Sequence, residues 1–442
     1  MIYFLIFLLS FELLIAFLLN GKRIISPSFI AIGVFLFSSI VYAICLKSLY
    51  GTDIHFKTVI IVSCLLLFII IGEALANVTK KDHEMVVKRS SFVSSKSVYL
   101  TDAMLICLTF FVFITSFWYV YDIYRFSLSL GNSQGNFFAS VLYVRQATNY
   151  GTGRVVYSSG TLLSQCILIS RCIVYFSFFM LANRSLAKKR LQWKYLLPIM
   201  GYVLYVVFCD SRGYLIADAL VFLLIVFNSL NSFGVSRKKQ NKTLLLIGIV
   251  SLISFFIIFR LLGYRTGTSN NYSFLNNIAD YVSSGLLGLD LSLNEGYATN
   301  TYFAQSTLRN IYIKLNDFGF DFQLGNSNGA FFEFAGGQSN IYTGLYAPIK
   351  DFGFFSTIFL LVWSFLTQKL LNNNNYHRFD LLHCFLIGIM FYPLVMISIG
   401  GEWANVLSIT SLYQIFYLLL IEIIFIKKRP SNMPNRSFRF GL

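Results

Sequence analysis

The run KTVIIVSCLLLFIIIGEALAN, residues 57–77, decides the fold. An α-helix rises about 1.5 Å per residue and the hydrocarbon core of a bilayer is about 30 Å thick, so about 20 mostly apolar residues cross it. This stretch has that length, with Lys57 at one edge and Glu73 near the other. Similar runs lie near 1–20, 28–47, 101–121, 159–182, 195–209, 214–232, 243–262, 352–370, 380–399 and 405–426. The expected fold class is therefore all-α, a polytopic integral membrane protein with about 11 transmembrane helices (10–12). Composition agrees, because 56% of the 442 residues are hydrophobic, 12% are charged and mean hydropathy is +0.67. A soluble globular chain is excluded on that ground. The first run has no basic segment before it and no small-residue cleavage pattern before Gly21, so it reads as a helix and not as a signal peptide.

A formal net charge of +16 raises the question of nucleic acid. The distribution answers it. Loops after alternate runs carry Lys22 and Arg23; Lys80, Lys81, Lys88, Arg89 and Lys96; Arg184, Lys188, Lys189, Arg190 and Lys194; Arg237, Lys238, Lys239 and Lys242; Arg378; and Lys427, Lys428, Arg429, Arg436 and Arg439. By the positive-inside rule these share the cytoplasmic side, which puts the amino terminus outside and the carboxyl terminus inside. The charge is a topology signal and no nucleic-acid partner is expected. The cysteines (45, 64, 107, 166, 172, 209 and 384) lie in or beside apolar runs with no metal spacing, and the histidines (55, 83, 377 and 383) are scattered. No metal and no cofactor are expected.

The expected organisation has three parts. Residues 1–262 form a bundle of about eight spans with an external loop near 122–158; 263–351 form a large, partly helical external cap; 352–442 form about three further spans and a basic tail. Within the cap, Phe274, Ile278, Val282, Leu286 and Leu289 recur at near-helical spacing, which predicts an amphipathic helix, either on the outer interface or over a cavity, or simply packed on the bundle.

The external cations are mostly arginines: Arg125, Arg145, Arg154, Arg212, Arg260, Arg265 and Arg309, with Lys314 and Lys350. Guanidinium forks match phosphate oxygens, so these residues point to an external phosphate or diphosphate; the plain alternative pairs each with a nearby acid. Arg212 stands in the short turn DSRG, and Arg260 and Arg265 enter a loop rich in Gly, Thr, Ser and Asn, which suits convergence on one diphosphate. Arg171 and Asp218 fall inside apolar runs, where a charge faces a partner or a watery cavity; they read either as a structural pair or, for Asp218, as a substrate contact. The stretch NIYTGLYAPIKDFGFF, 340–355, packs Asn340, Tyr342, Thr343, Lys350 and Asp351 just before an apolar run. Pro348 is expected to stop regular structure there, with Asp351 at a helix mouth as a general base or simply as a cap. Glu333, Asp317 and Asp218 are the other carboxylates considered for that base.

Many spans, a large late external loop, Ser211-Arg212-Gly213 at a helix mouth, and Asn340, Tyr342 and Thr343 followed by Asp351-Phe352-Gly353 together resemble the oligosaccharide repeat-unit polymerases, the O-antigen (Wzy-type) polymerase family. The topological likeness covers nearly the whole chain and the motifs only these short stretches. The resemblance implies a glycosyltransferase at the periplasmic face of the bacterial inner membrane. It would move a growing glycan from undecaprenyl diphosphate onto a new lipid-linked repeat unit. The implied partners are the lipid-linked donor and acceptor, membrane lipid and a chain-length regulator protein. Asp351, Arg212 and Arg265 would then be catalytic, and Arg260, Arg145, Arg154, Arg309, Asn340, Tyr342, Thr343, Lys350 and Asp218 would bind substrate. An O-antigen ligase or a non-enzymatic flippase are the competing readings; no internal duplication of the kind a transporter shows is present.

Overall fold

The computed structural model describes residues 1–21, 23–79, 96–98, 100–132, 140–145, 147, 157, 159–209, 213–236, 238–249, 274–296, 300–324, 331–373, 381–406 and 408–428. Helices dominate: α1 (Ile2–Leu19), α2 (Pro27–Cys45), α3 (Phe56–Val78), α4 (Asp102–Ser129), α5 (Ser140–Arg145), α6 (Thr161–Lys188), α7 (Leu197–Phe208), α8 (Gly213–Ser232) and α9 (238–249). They are followed by α10 (Phe274–Glu295), α11 (Arg309–Asp317), α12 (Tyr346–Phe352), α13 (Ser356–Asn373), α14 (Leu381–Val395), α15 (Trp403–Val406) and α16 (Ile409–Phe425). The mostly helical fold is accompanied by two short ladders. Strands β1 (Lys96–Val98) and β4 (Ile426–Lys428) pair antiparallel, as do β2 (Phe332–Phe334) and β3 (Gly337–Ser339). These are short extended pieces in connecting segments, where no apolar period signals them.

Among the described residues seven helical stretches are long and apolar enough to cross a membrane: Ile2–Leu19, Pro27–Cys45, Phe56–Val78, Asp102–Ser129, Thr161–Lys188, Tyr346–Asn372 and Trp403–Phe425. Trp193–Phe208, Ile216–Ser232 and Leu381–Val395 are apolar but shorter. The 12 residues of α7 and 15 of α14 span about 18 and 22 Å, less than a 30 Å core. The expected span at 243–262 is helical up to 249 and otherwise lies outside the described residues. Local chemistry explains several starts. Ser26 caps α2 by accepting the Phe29 N–H at 3.3 Å, with Pro27 following at the position where a missing N–H is harmless. Thr101 and Ser408 cap α4 and α16 in the same way. Large apolar side chains such as Phe7, Ile44, Phe110 and Ile423 point outward, as a lipid-facing surface requires.

Among the described residues two apolar cores fill the interior. One gathers α1, α2, α3, α10, α12 and α13 around Leu5, Phe35, Leu66, Leu286 and Leu360. The other gathers α4, α6, α7, α8 and α16 around Val112, Phe176, Ile225 and Leu418. Helix α14 belongs to both, giving Leu381, Phe385 and Ile387 to the second and Leu394 to the first. In the first core α3 and α13 touch backbone to backbone: a Cβ on Gly72 would collide with the Leu361 carbonyl oxygen. Ser364 donates across that seam to the Ile69 carbonyl at 2.7 Å.

Of the readings open for helix α10, packing on the bundle is the one the side chains make. The helix is built into the first core, with Leu286 and Leu289 fully buried and Ser283, Ser284 and Asp290 buried beside them. Ser38 of α2 donates to its Val282 carbonyl at 2.9 Å, and Tyr50 shares a hydrogen bond with Ser283 at 2.8 Å. Gly285 and Gly288 let other backbone cross close by; a Cβ at Gly285 would meet the Ser398 carbonyl at 2.8 Å and one at Gly288 the Ile341 carbonyl at 2.7 Å.

Contacts between distant segments sort the described loops into two ends. At one, Asn77 donates to Asn20 at 2.9 Å, Gln368 and Asn372 donate to Asn77 at 3.0 Å, Lys194 meets Asp102 at 2.5 Å, and β1 lies on β4. At the other, Ile2 N–H meets Asp53 at 2.9 Å, Gly336 N–H meets the Leu49 carbonyl at 2.7 Å, Trp403 donates to the Gly344 carbonyl at 2.6 Å, and Tyr157 donates to Asp122 at 2.7 Å. The first end holds Arg184, Lys188, Lys189, Arg190, Lys194, Lys238, Lys239 and Lys242, the residues grouped as one side by charge. The second holds α10, the β2–β3 hairpin, and the 339–352 segment.

Candidate functional site

The segment 339–352 winds over the buried face of α10. Ser284 and Ser339 hydroxyls lie 3.1 Å apart, Gly344 N–H donates to the Ile397 carbonyl at 2.7 Å, and Trp403 closes over the Gly344 carbonyl. A Cβ at Gly344 would stand 2.8 Å from the Gly400 carbonyl oxygen, so glycine is what lets the two chains touch. Thr343 is 1% exposed and its hydroxyl is enclosed by protein. Asn340 and Tyr342 are half-buried. The Tyr342 ring stacks on Tyr346 at 4.6 Å and meets Phe332 edge-on at 5.5 Å; burial pushes its phenol up, against a hydrogen bond from Ser292 that lowers it. Lys350 lies 5.8 Å over the Tyr346 ring.

Pro348 does not stop regular structure. It sits in the first turn of α12, where its missing N–H leaves no bond unmade, and the break comes at Gly353, whose φ of 55 favours glycine. Asp351 accordingly stands in the last turn of α12 and not at the amino end of a helix. Its carboxylate accepts the Ser306 N–H at 2.9 Å, the Thr307 N–H at 2.7 Å, and the Asn300 side-chain amide. It thereby anchors 300–308, a turn that carries Ala304 at a positive φ of 50. Arg309 follows directly, with burial pushing its guanidinium down. Next to it Asn310 donates to the Ala404 carbonyl at 2.9 Å, which joins α11 to α15. Glu402, on the same loop, is pushed up by burial and held by the Asn405 side chain.

One end of the molecule thus brings together Asn340, Tyr342, Thr343, Lys350, Asp351 and Arg309. Asp218 lies apart in the second core, where its Oδ1 takes Arg171 Nε at 2.7 Å and the Tyr175 hydroxyl at 2.6 Å. The structural pairing expected of Arg171 and Asp218 is what the side chains make. Arg145 ends α5, and nothing is described of its side chain; Arg154, Arg212, Arg260 and Arg265 lie outside the described residues. Among the described residues no group of three His, Cys, Asp or Glu is placed to hold a metal.

The sequence gives no hint of the strongest polar constellation at this end. Asp290, with a side chain 2% exposed, accepts the His55 N–H at 2.8 Å and the Thr58 hydroxyl at 2.6 Å on Oδ1, while its Oδ2 lies 2.8 Å from His55 Nδ1. The two partners are 235 residues apart in the chain. No local motif could join them.

The fold places the chain in the class of polytopic helical proteins whose long apolar helices fit a multi-pass membrane protein. Comparison with family models, curated proteins and solved structures returns no match.

Proposed function

We propose that the chain is a polymerase of lipid-linked oligosaccharide repeat units, acting at the face of the bacterial inner membrane away from the cytoplasm. It transfers the growing glycan from undecaprenyl diphosphate to the non-reducing end of a new lipid-linked repeat unit. The observation that carries this reading is the position of the 339–352 segment. Asn340, Tyr342, Thr343, Asp351 and Phe352, which carry part of the family likeness, belong to a segment wound against a buried helix at the end opposite the basic loops. That end is external if the basic loops are cytoplasmic. Half-buried aromatics such as Tyr342 and Tyr346 offer faces to sugar rings. Arg309 supplies a partly desolvated cation, and Arg212, Arg260 and Arg265 are assigned to the leaving diphosphate, whose charge develops as the glycosidic bond to phosphate breaks. Because Asp351 already holds two backbone N–H groups, its role in this reading is to shape the 300–308 turn beneath the sugars.

The test is the surface polysaccharide of a deletion strain on a gel. A polymerase predicts collapse of the ladder to a single repeat unit, restored by the native gene. Long chains retained on the carrier would instead mark a ligase, and repeat units trapped on the inner leaflet would mark a flippase.

A further inference from the structure

We infer that His55 is the general base that takes the proton from the attacking sugar hydroxyl, with Asp290 positioning its ring. This rests on the polymerase reading and deepens it. A carboxylate only accepts hydrogen bonds, and Asp290 faces the His55 N–H, the Thr58 hydroxyl, the Asn294 side-chain amide and His55 Nδ1. The proton of the neutral ring therefore sits on Nδ1. Nε2 is left with a lone pair, and the His55 side chain is 61% exposed while its carboxylate partner is buried. Nε2 has no hydrogen-bond partner among the described residues. A buried carboxylate that fixes the tautomer and a second ring nitrogen with no partner of its own are what a general base requires.

Placement agrees with that role. His55 precedes α3 at the end that carries the 339–352 segment, and Asp290 lies in the last two turns of α10. Two residues further on, and so on the other side of α10, Ser292 bonds Tyr342; the dyad and the aromatic shelf therefore meet the last two turns of this helix from its two sides. The charged groups next to His55 in the chain are themselves engaged: the Lys57 ammonium is 2.5 Å from the Leu293 carbonyl, and Asp53 is held by the Met1 amino group and the Ile2 N–H, while Glu295 at the end of α10 acts on Tyr342. In the reaction the acceptor oxygen forms its bond to the donor's anomeric carbon as its proton moves to Nε2. The bond from that carbon to the diphosphate oxygen breaks, and its electron pair leaves on the diphosphate. The imidazolium, stabilised by Asp290, then returns its proton to the released diphosphate or to water.

The experiment uses the purified full chain in lipid nanodiscs, with lipid-linked repeat units extracted from the deletion strain. His55→Ala is expected to lower kcat about 100-fold or more with KM unchanged, and to regain activity with added imidazole. Asp290→Asn is expected to lower kcat about 10-fold. His55→Gln, which can still donate to Asp290 but cannot take a proton, is expected to fold like the native chain and to be as slow as His55→Ala. A folded His55→Ala or His55→Gln within threefold of native overturns the inference, as does an inactive, folded His55→Ala that imidazole leaves unchanged. A native chain that elongates nothing here, alongside a deletion strain with a normal ladder, overturns the polymerase reading and this inference with it.

Discussion

The two cores handle buried carboxylates differently. Around α1, α2, α3 and α10, Glu12 meets the Ser63 hydroxyl, Glu73 meets Ser28 through its N–H at 2.9 Å and its hydroxyl, and Asp290 meets Thr58 and His55. Around α6 and α8, Asp218 meets a guanidinium as well as the Tyr175 hydroxyl. Hydroxyl and backbone donors suit a carboxyl group and, nearly as well, its amide isostere. A buried guanidinium has no such substitute, because losing its partner leaves a charge in the apolar interior. The first core therefore depends on hydrogen-bond geometry and the second on charge balance.

That contrast is open to direct attack. Arg171→Ala strands Asp218 and is expected to cost about 3–5 kcal/mol, read as a lowered unfolding midpoint of the detergent-solubilised protein; Glu73→Gln is expected to cost less than about 1 kcal/mol in the same measurement. Equal losses would erase the distinction. Next in size, Gly72→Ala forces the backbones of α3 and α13 apart and is expected to cost about 1–3 kcal/mol. A compensating gain at Leu361→Gly would not be expected, since the clash is with backbone. Smallest is Asp351→Asn. It keeps one acceptor oxygen for the 300–308 turn and is expected to leave the global midpoint within about 1 kcal/mol while speeding amide exchange at Ser306 and Thr307.

The helices were legible because apolar length is a property of consecutive residues. The run at 57–77 became Phe56–Val78 almost unchanged. Helix α10 was legible as a helix, but whether it lay at the interface or packed on the bundle was not, because its apolar spacing fits both. Its partners Tyr50, Ser38, Ser339 and His55 come from other segments, and a sequence window cannot contain them. Asp351 was read at the wrong end of a helix for a related reason. Pro348 signals a break in general but is harmless in a first turn, and only the placement of the following Gly353 shows which applies. Arg171 and Asp218 could be paired in advance because charges inside apolar runs have few places to go.

Helix α14 has a consequence for how the molecule comes apart. One end of it completes the core built on α6 and α8, and the other completes the core built on α2 and α10. Neither core can melt without stripping a face from this shared strut. The two halves are accordingly bound into a single cooperative unit, and a thermal or denaturant transition monitored in either should report on both.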